Sequence, residues 1–76
     1  MLSRKIFGER LLETRRRHRE TQAELAAVLG VGKSRVSEME SGKNTTTMDK
    51  LVLLCEHYHI SADYLLGLSD DPSPRK

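Results

Sequence analysis

A chain of 76 residues with 37% hydrophobic side chains and three aromatic rings (Phe7, Tyr58, Tyr64) can build one small core, with little left to line a cofactor pocket. The single cysteine, Cys55, excludes an internal disulfide, and neither an apolar run of membrane-spanning length nor a signal peptide is visible, so a cytoplasmic domain without membrane attachment is expected. The net charge of +2 is unevenly placed: residues 1–43 carry ten Lys/Arg against six Asp/Glu, and residues 44–76 carry three against five, which turns the first half toward an anionic partner.

No alternating strand pattern and no repeat is present; short apolar-periodic segments separated by turn signals predict several small helices. The first spans about residues 4–18, with Ile6, Phe7, Leu11 and Thr14 as its inward stripe. Arg15, Arg16, Arg17 and Arg19 crowd its C-terminal end, where cations suit the helix dipole. The second starts at Thr21, whose hydroxyl caps it while Glu24 completes a capping box. Leu25 and Leu29 stack one turn apart among Ala23, Ala26 and Ala27, and Gly30 ends the helix. The third covers about 33–41: Val36 and Met39 form a narrow apolar edge, the rest is polar, and Gly42 closes it. The fourth runs from about 48 to 57 behind a Thr47 cap, with Leu51, Leu54, Cys55 and Tyr58 at helical spacing. A last short turn, capped by Ser61 with Asp63 behind it, carries Tyr64, Leu65 and Leu68. Residues 69–76, "SDDPSPRK", are polar and aperiodic and read as a flexible tail on a domain of residues 1–68.

The segment "GVGKS" at 30–34 has the Gly-Lys-Ser ending of a nucleotide-binding phosphate loop. Such a loop needs a first glycine five residues before the second and a preceding buried strand. Position 27 is Ala27, inside a helical segment, and no strand precedes it, so nucleotide hydrolysis is excluded and no enzymatic activity is expected. Two short helices joined by a glycine-containing turn, the second poorer in apolar residues, instead describe a helix-turn-helix. In that arrangement the first helix packs inward and the second lies in the major groove of DNA. Cys55, His57 and His59 do not make a metal site, because histidines two apart point to different sides of a helix and no fourth ligand is near; a buried cysteine and exposed histidines are expected. His18 sits among arginines, and nothing in the sequence supports a pH switch there.

"TQAELAAVLGVGKSRVSEMESGK" resembles the helix-turn-helix core of the phage repressor and Cro family, the large bacterial group also called the xenobiotic-response-element type. The resemblance rests on Gln22, Leu25, Ala26, Gly30, Val31, Val36, Ser37, Glu40 and Gly42, and continues through Leu51, Ile60, Ser61, Asp63 and Leu65, covering about residues 4–68. It implies an all-α, compact five-helix repressor-like domain with the helix-turn-helix at helices two and three. It also implies site residues. Thr21 and Gln22 stand at a helix N-terminus that suits a phosphate, and in the family the Gln22 amide bridges a phosphate and the recognition helix. Lys33, Ser34 and Glu38 face base edges, where lysine suits guanine, serine several bases and a carboxylate cytosine N4. Arg35 reaches a base or a phosphate. Lys43, with Asn44 or Ser41, grips the backbone from the following loop. Arg15 and Glu40 occupy positions of an ion pair joining helix one to the end of helix three.

Two departures stand out. Gly32 replaces the usual Ser or Thr cap, so a hydroxyl contact to phosphate is missing. Arg19 replaces the usual glycine after helix one and must take an awkward backbone or a different turn. The function implied is sequence-specific binding of double-stranded DNA by a transcriptional repressor. It would act without cofactor or metal, as a homodimer on a two-fold symmetric operator, with the dimer surface around Tyr64, Leu66 and Leu68. The alternative is an antitoxin or adaptor that uses the same fold to meet a protein partner.

Overall fold

In the computed structural model, which describes residues 2–74, the chain forms five helices, and no strand occurs among those residues. They are α1 (Arg4–Arg17), α2 (Gln22–Leu29), α3 (Lys33–Glu40), α4 (Met48–Tyr58) and α5 (Ala62–Leu65). Hydroxyls start four of them: Thr21, Thr47 and Ser61 accept the backbone N–H groups of Glu24, Lys50 and Asp63. Ser3 does the same for Ile6 at the head of α1, a cap not expected from the sequence. Helix α3 starts at Gly32 with no side-chain cap, as the missing hydroxyl implies.

All five helices end in one way. The residue after the last turn takes a left-handed backbone (Arg19 φ 52°, Gly30 69°, Gly42 83°, His59 55°, Gly67 81°). The next N–H then reaches back to an orphan carbonyl: Glu20 to Arg15, Val31 to Ala26, Lys43 to Glu38, Ile60 to Cys55 and Leu68 to Asp63. Gly30 and Gly42 were readable as such stops. Arg19 takes the awkward backbone rather than another turn, and His59 does likewise, extending α4 one residue past the expected end. Both are non-glycine residues held where an L side chain is disfavoured.

The core is assembled from every helix: Phe7 and Leu11, Leu25, Ala26 and Leu29, Val36 and Met39, Leu54 and Tyr58, Ile60 and Leu65. Ile6, expected in the inward stripe, is 38% exposed; the stripe passes through Phe7, Leu11 and Thr14 instead, with Gly8 beside them. Gly8 lets α1 lie against α3. A Cβ there would stand 2.5 Å from the Glu40 carbonyl oxygen and 2.6 Å from that of Met39, so only glycine fits this crossing. Helix α2 packs on α3 and α4, and α5 closes the bundle against α1 and α4.

Ser69, Asp70 and Pro72, in the stretch expected as a tail, contact the body of the domain. Arg10 lies over the Tyr64 ring at 4.4 Å and donates to the carbonyls of Tyr64 and Ser69 and to Asp70. The Ser61 N–H donates to the Pro72 carbonyl at 2.9 Å. A polar, proline-containing stretch gives no hint of this in sequence, because the anchors lie on α1 and at the head of α5. Arg75 and Lys76, the end of the expected flexible tail, and Met1 lie outside the described residues.

Candidate nucleic-acid interface

The turn between α2 and α3 fixes how the second helix is presented. Gly30 reverses the chain, Val31 tucks partly against the core, and α3 leaves at once from Gly32. Of the eight residues of α3, Val36 and Met39 are fully buried and Glu40 is nearly so. Lys33, Ser34, Arg35 and Ser37 are exposed and Glu38 is half-buried, so the helix turns a continuous polar flank outward. Thr21, Lys43 and Ser41 are exposed as well, on the segments just before and after the two helices.

Behind that flank, one carboxylate gathers three helices. Glu40 Oε2 accepts from Arg15 Nε at 2.6 Å, and Oε1 accepts from Arg15 Nη2 at 3.2 Å and from Gln22 Nε2 at 2.9 Å. The two charged side chains are only 11% and 5% exposed. The Glu40 hydrogen bond holds the Arg15 guanidinium above its ordinary pKa, against the opposing effect of burial. Arg15 also donates to the Glu20 carbonyl, which ties down the strained turn after α1. Gln22 thus has one end committed to α3, at the N-terminus where Thr21 and Glu24 form a reciprocal capping box. Those bonds, from the Thr21 backbone first, hold the Glu24 carboxyl below its ordinary value.

The loop beyond α3 is organised by Glu38. Its backbone carbonyl accepts from the N–H of Lys43 at 3.0 Å and of Asn44 at 3.4 Å, and from the Ser41 hydroxyl. Its carboxylate accepts from Asn44 Nδ2 at 3.3 Å. Two residues assigned to different tasks in the sequence, base reading for Glu38 and backbone grip for Asn44, therefore touch each other.

A second polar cluster went unread. Glu20 accepts from the Tyr58 hydroxyl and from His57 Nε2, the latter at 2.7 Å. Burial, then the bond to Glu20, push the Tyr58 hydroxyl well above its usual pKa. His18 donates to the Thr14 carbonyl and lies 4.9 Å from the Tyr58 ring, so both histidines brace the fold. Only the periodic spacing of Tyr58 was visible in sequence; its partner lies in a turn 38 residues earlier. Cys55 is partly rather than fully buried, at an open groove of about 650 Å³ that it shares with Met48, Leu51, Val52, Ile60 and Leu66. No cluster of three or more potential metal ligands occurs among the described residues, and no helix is long and apolar enough to cross a membrane. Of the residues proposed for dimer contact, Tyr64 is buried at 8% exposure under Arg10, Leu66 is half-buried, and Leu68 is 73% exposed. Within the single chain the Tyr64 ring is covered by Arg10; the cation over it was not legible from α5 alone.

The family model for helix-turn-helix domains matches residues 13–65. Among curated proteins, the chain is 39% identical over 70 residues to the uncharacterized HTH-type transcriptional regulator YobD of Bacillus subtilis, covering 92% of this chain and 62% of that one. It is 36% identical over 59 residues to the cryptic phage CTXphi transcriptional repressor RstR of Vibrio cholerae, covering 78% and 53%. The chain thus spans little more than half the length of these relatives. Among solved structures, the P22 c2 repressor in complex with a synthetic operator superposes with a TM-score of 0.78 at 28% identity, over 84% of this chain and 97% of that one. The restriction-modification controller protein C.AhdI of Aeromonas hydrophila gives 0.72 at 27% identity, over 82% and 94%. Helix order, turn geometry and these matches agree: the chain belongs to the helix-turn-helix family of repressor-type transcriptional regulators.

Proposed function

We propose that this chain binds double-stranded DNA in a sequence-specific way as a transcriptional repressor, entering the major groove with α3 and occupying a two-fold symmetric operator as a homodimer. The observation that carries the reading is the division of α3: its apolar edge is spent on the core, and Lys33, Ser34, Arg35 and Ser37 remain exposed. A helix built this way can dock on its own domain and still offer hydrogen-bonding groups to base edges. The P22 c2 repressor, which shares this fold, was solved on an operator.

In this reading Lys33, Ser34, Arg35 and Glu38 meet bases, while Thr21, Gln22, Ser41, Lys43 and Asn44 flank them near the phosphates. One module reads few base pairs, so two modules about 34 Å apart supply the remaining affinity. Leu68 and the groove beside Leu66 offer apolar surface for the second copy. The test is a salt titration of binding to duplex DNA, in which log affinity falls with a slope of about −0.9 per phosphate contact. Lys43→Ala weakens all sequences alike and reduces that slope, whereas Lys33→Ala shifts base preference by about 1–3 kcal/mol. Binding indifferent to salt defeats the DNA reading. Sedimentation as monomer alone at high concentration, with and without DNA, defeats the homodimer.

A further inference from the structure

Glu38 is the one acidic side chain on the outward flank of α3, since Glu40 is turned inside. A carboxylate there is a liability on DNA. Loose, it swings toward phosphates and repels them; fixed, it accepts a hydrogen bond from a cytosine amino group and discriminates against other bases. Which of these it does depends on what holds it.

The hold comes from one place. Gly42 takes a left-handed backbone, so the chain curls back under the end of α3, and the N–H groups of Lys43 and Asn44 close on the Glu38 carbonyl. That curl brings the Asn44 amide to the Glu38 carboxylate, where Nδ2 donates to Oε1 at 3.3 Å. Oε2 has no hydrogen-bond donor among the described residues and stays available to a base. Asn44 is half-buried, so its side chain is less free to wander than a surface amide.

We infer that Asn44 is a specificity-determining positioning residue: its amide aims the Glu38 carboxylate at one base pair instead of gripping a phosphate. This deepens the DNA reading above and rests on it. It also ties the backbone grip of Lys43 to the base reading of Glu38, because both depend on the turn that closes on the Glu38 carbonyl.

The experiment selects bound sequences from random duplex DNA with the full chain and with Glu38→Ala, Asn44→Ala and Asn44→Asp, and measures the affinity of each for the best sequence and for unrelated duplexes. Asn44→Asp keeps the side chain's size, removes the donor and adds a like charge, and thermal melts check that each variant is folded. Glu38→Ala relaxes preference at one base pair of each half-site. Both Asn44 variants relax the same base pair by roughly tenfold, Asn44→Asp the more. If Asn44→Ala instead weakens every sequence equally and leaves base preference as it was, Asn44 grips a phosphate and the inference is overturned. An Asn44→Ala variant with wild-type preference beside a relaxed Glu38→Ala overturns it too. Should Glu38→Ala leave preference intact while other α3 variants change it, the base-reading role of Glu38 fails, and the role of Asn44 fails with it. Absence of any selectable sequence for the unaltered chain marks failure of the DNA reading itself.

Discussion

Glu38 and Glu40 are the same side chain two residues apart on α3, yet one lies on the outward flank beside a single amide and the other is nearly buried between Arg15 and Gln22. The inner flank of the helix is fixed by three fully or nearly buried residues and by backbone contact with α1 at Gly8. On the outer flank Lys33, Ser34, Arg35 and Ser37 are exposed, and Glu38 is held by the Asn44 amide. The lesson is that a reading helix needs two chemistries at once: an inward side whose polar groups are satisfied internally, and an outward side whose polar groups are not.

The comparison predicts a steep gradient of effects. The largest belongs to Glu40→Ala, which strands the Arg15 guanidinium and one Gln22 donor; a loss of about 3–5 kcal/mol in denaturant unfolding is expected. A loss under about 1 kcal/mol would demote the pair to a surface contact. Next comes Gly8→Ala. Ordinarily alanine in a helix gains about 0.5–1 kcal/mol over glycine. Here its methyl meets two backbone carbonyls that cannot swing aside, so a net loss of about 1–3 kcal/mol is expected.

A smaller effect is set by pH. Capping holds the Glu24 carboxyl below its ordinary 4.5, so the unfolded chain takes up that proton first. The stability from this cap is complete above the ordinary value and disappears as pH falls through the depressed one. Glu24→Gln should therefore show a shallower loss of melting temperature on acidification than the unaltered chain; parallel curves would refute the linkage. The smallest effect is on the outer flank, where Lys33→Ala and Arg35→Ala should alter unfolding by no more than about 0.5 kcal/mol while impairing DNA binding. Large destabilisation there would erase the distinction between the two flanks.

Local grammar made much of this fold legible. The Thr21, Thr47 and Ser61 caps, the stops at Gly30 and Gly42, and the split between Val36 with Met39 and their polar neighbours all depend on residues within one or two turns. Features that depend on distant partners were not legible. Gly8 reads as a weak helix former until the carbonyls of Met39 and Glu40 arrive above it. Glu20 looks like a loop acid until Tyr58 and His57 reach it from α4. Tyr64 reads as an interface aromatic until Arg10 covers it. The Arg15–Glu40 pair came from family resemblance alone, since nothing local joins residues 25 apart. The Glu38–Asn44 contact was not expected at all, since it needs the left-handed turn at Gly42 to exist first.

The sharing of one carboxylate by α1, α2 and α3 has a consequence for substitution. Arg15, Gln22 and Glu40 form a single hydrogen-bonded unit: once any member is altered, the remaining two have less to lose, so their substitutions should be strongly non-additive. Paired replacements within the trio should therefore cost less than the sum of their single losses, whereas changes at the exposed Lys33 or Arg35 leave its hydrogen bonds untouched.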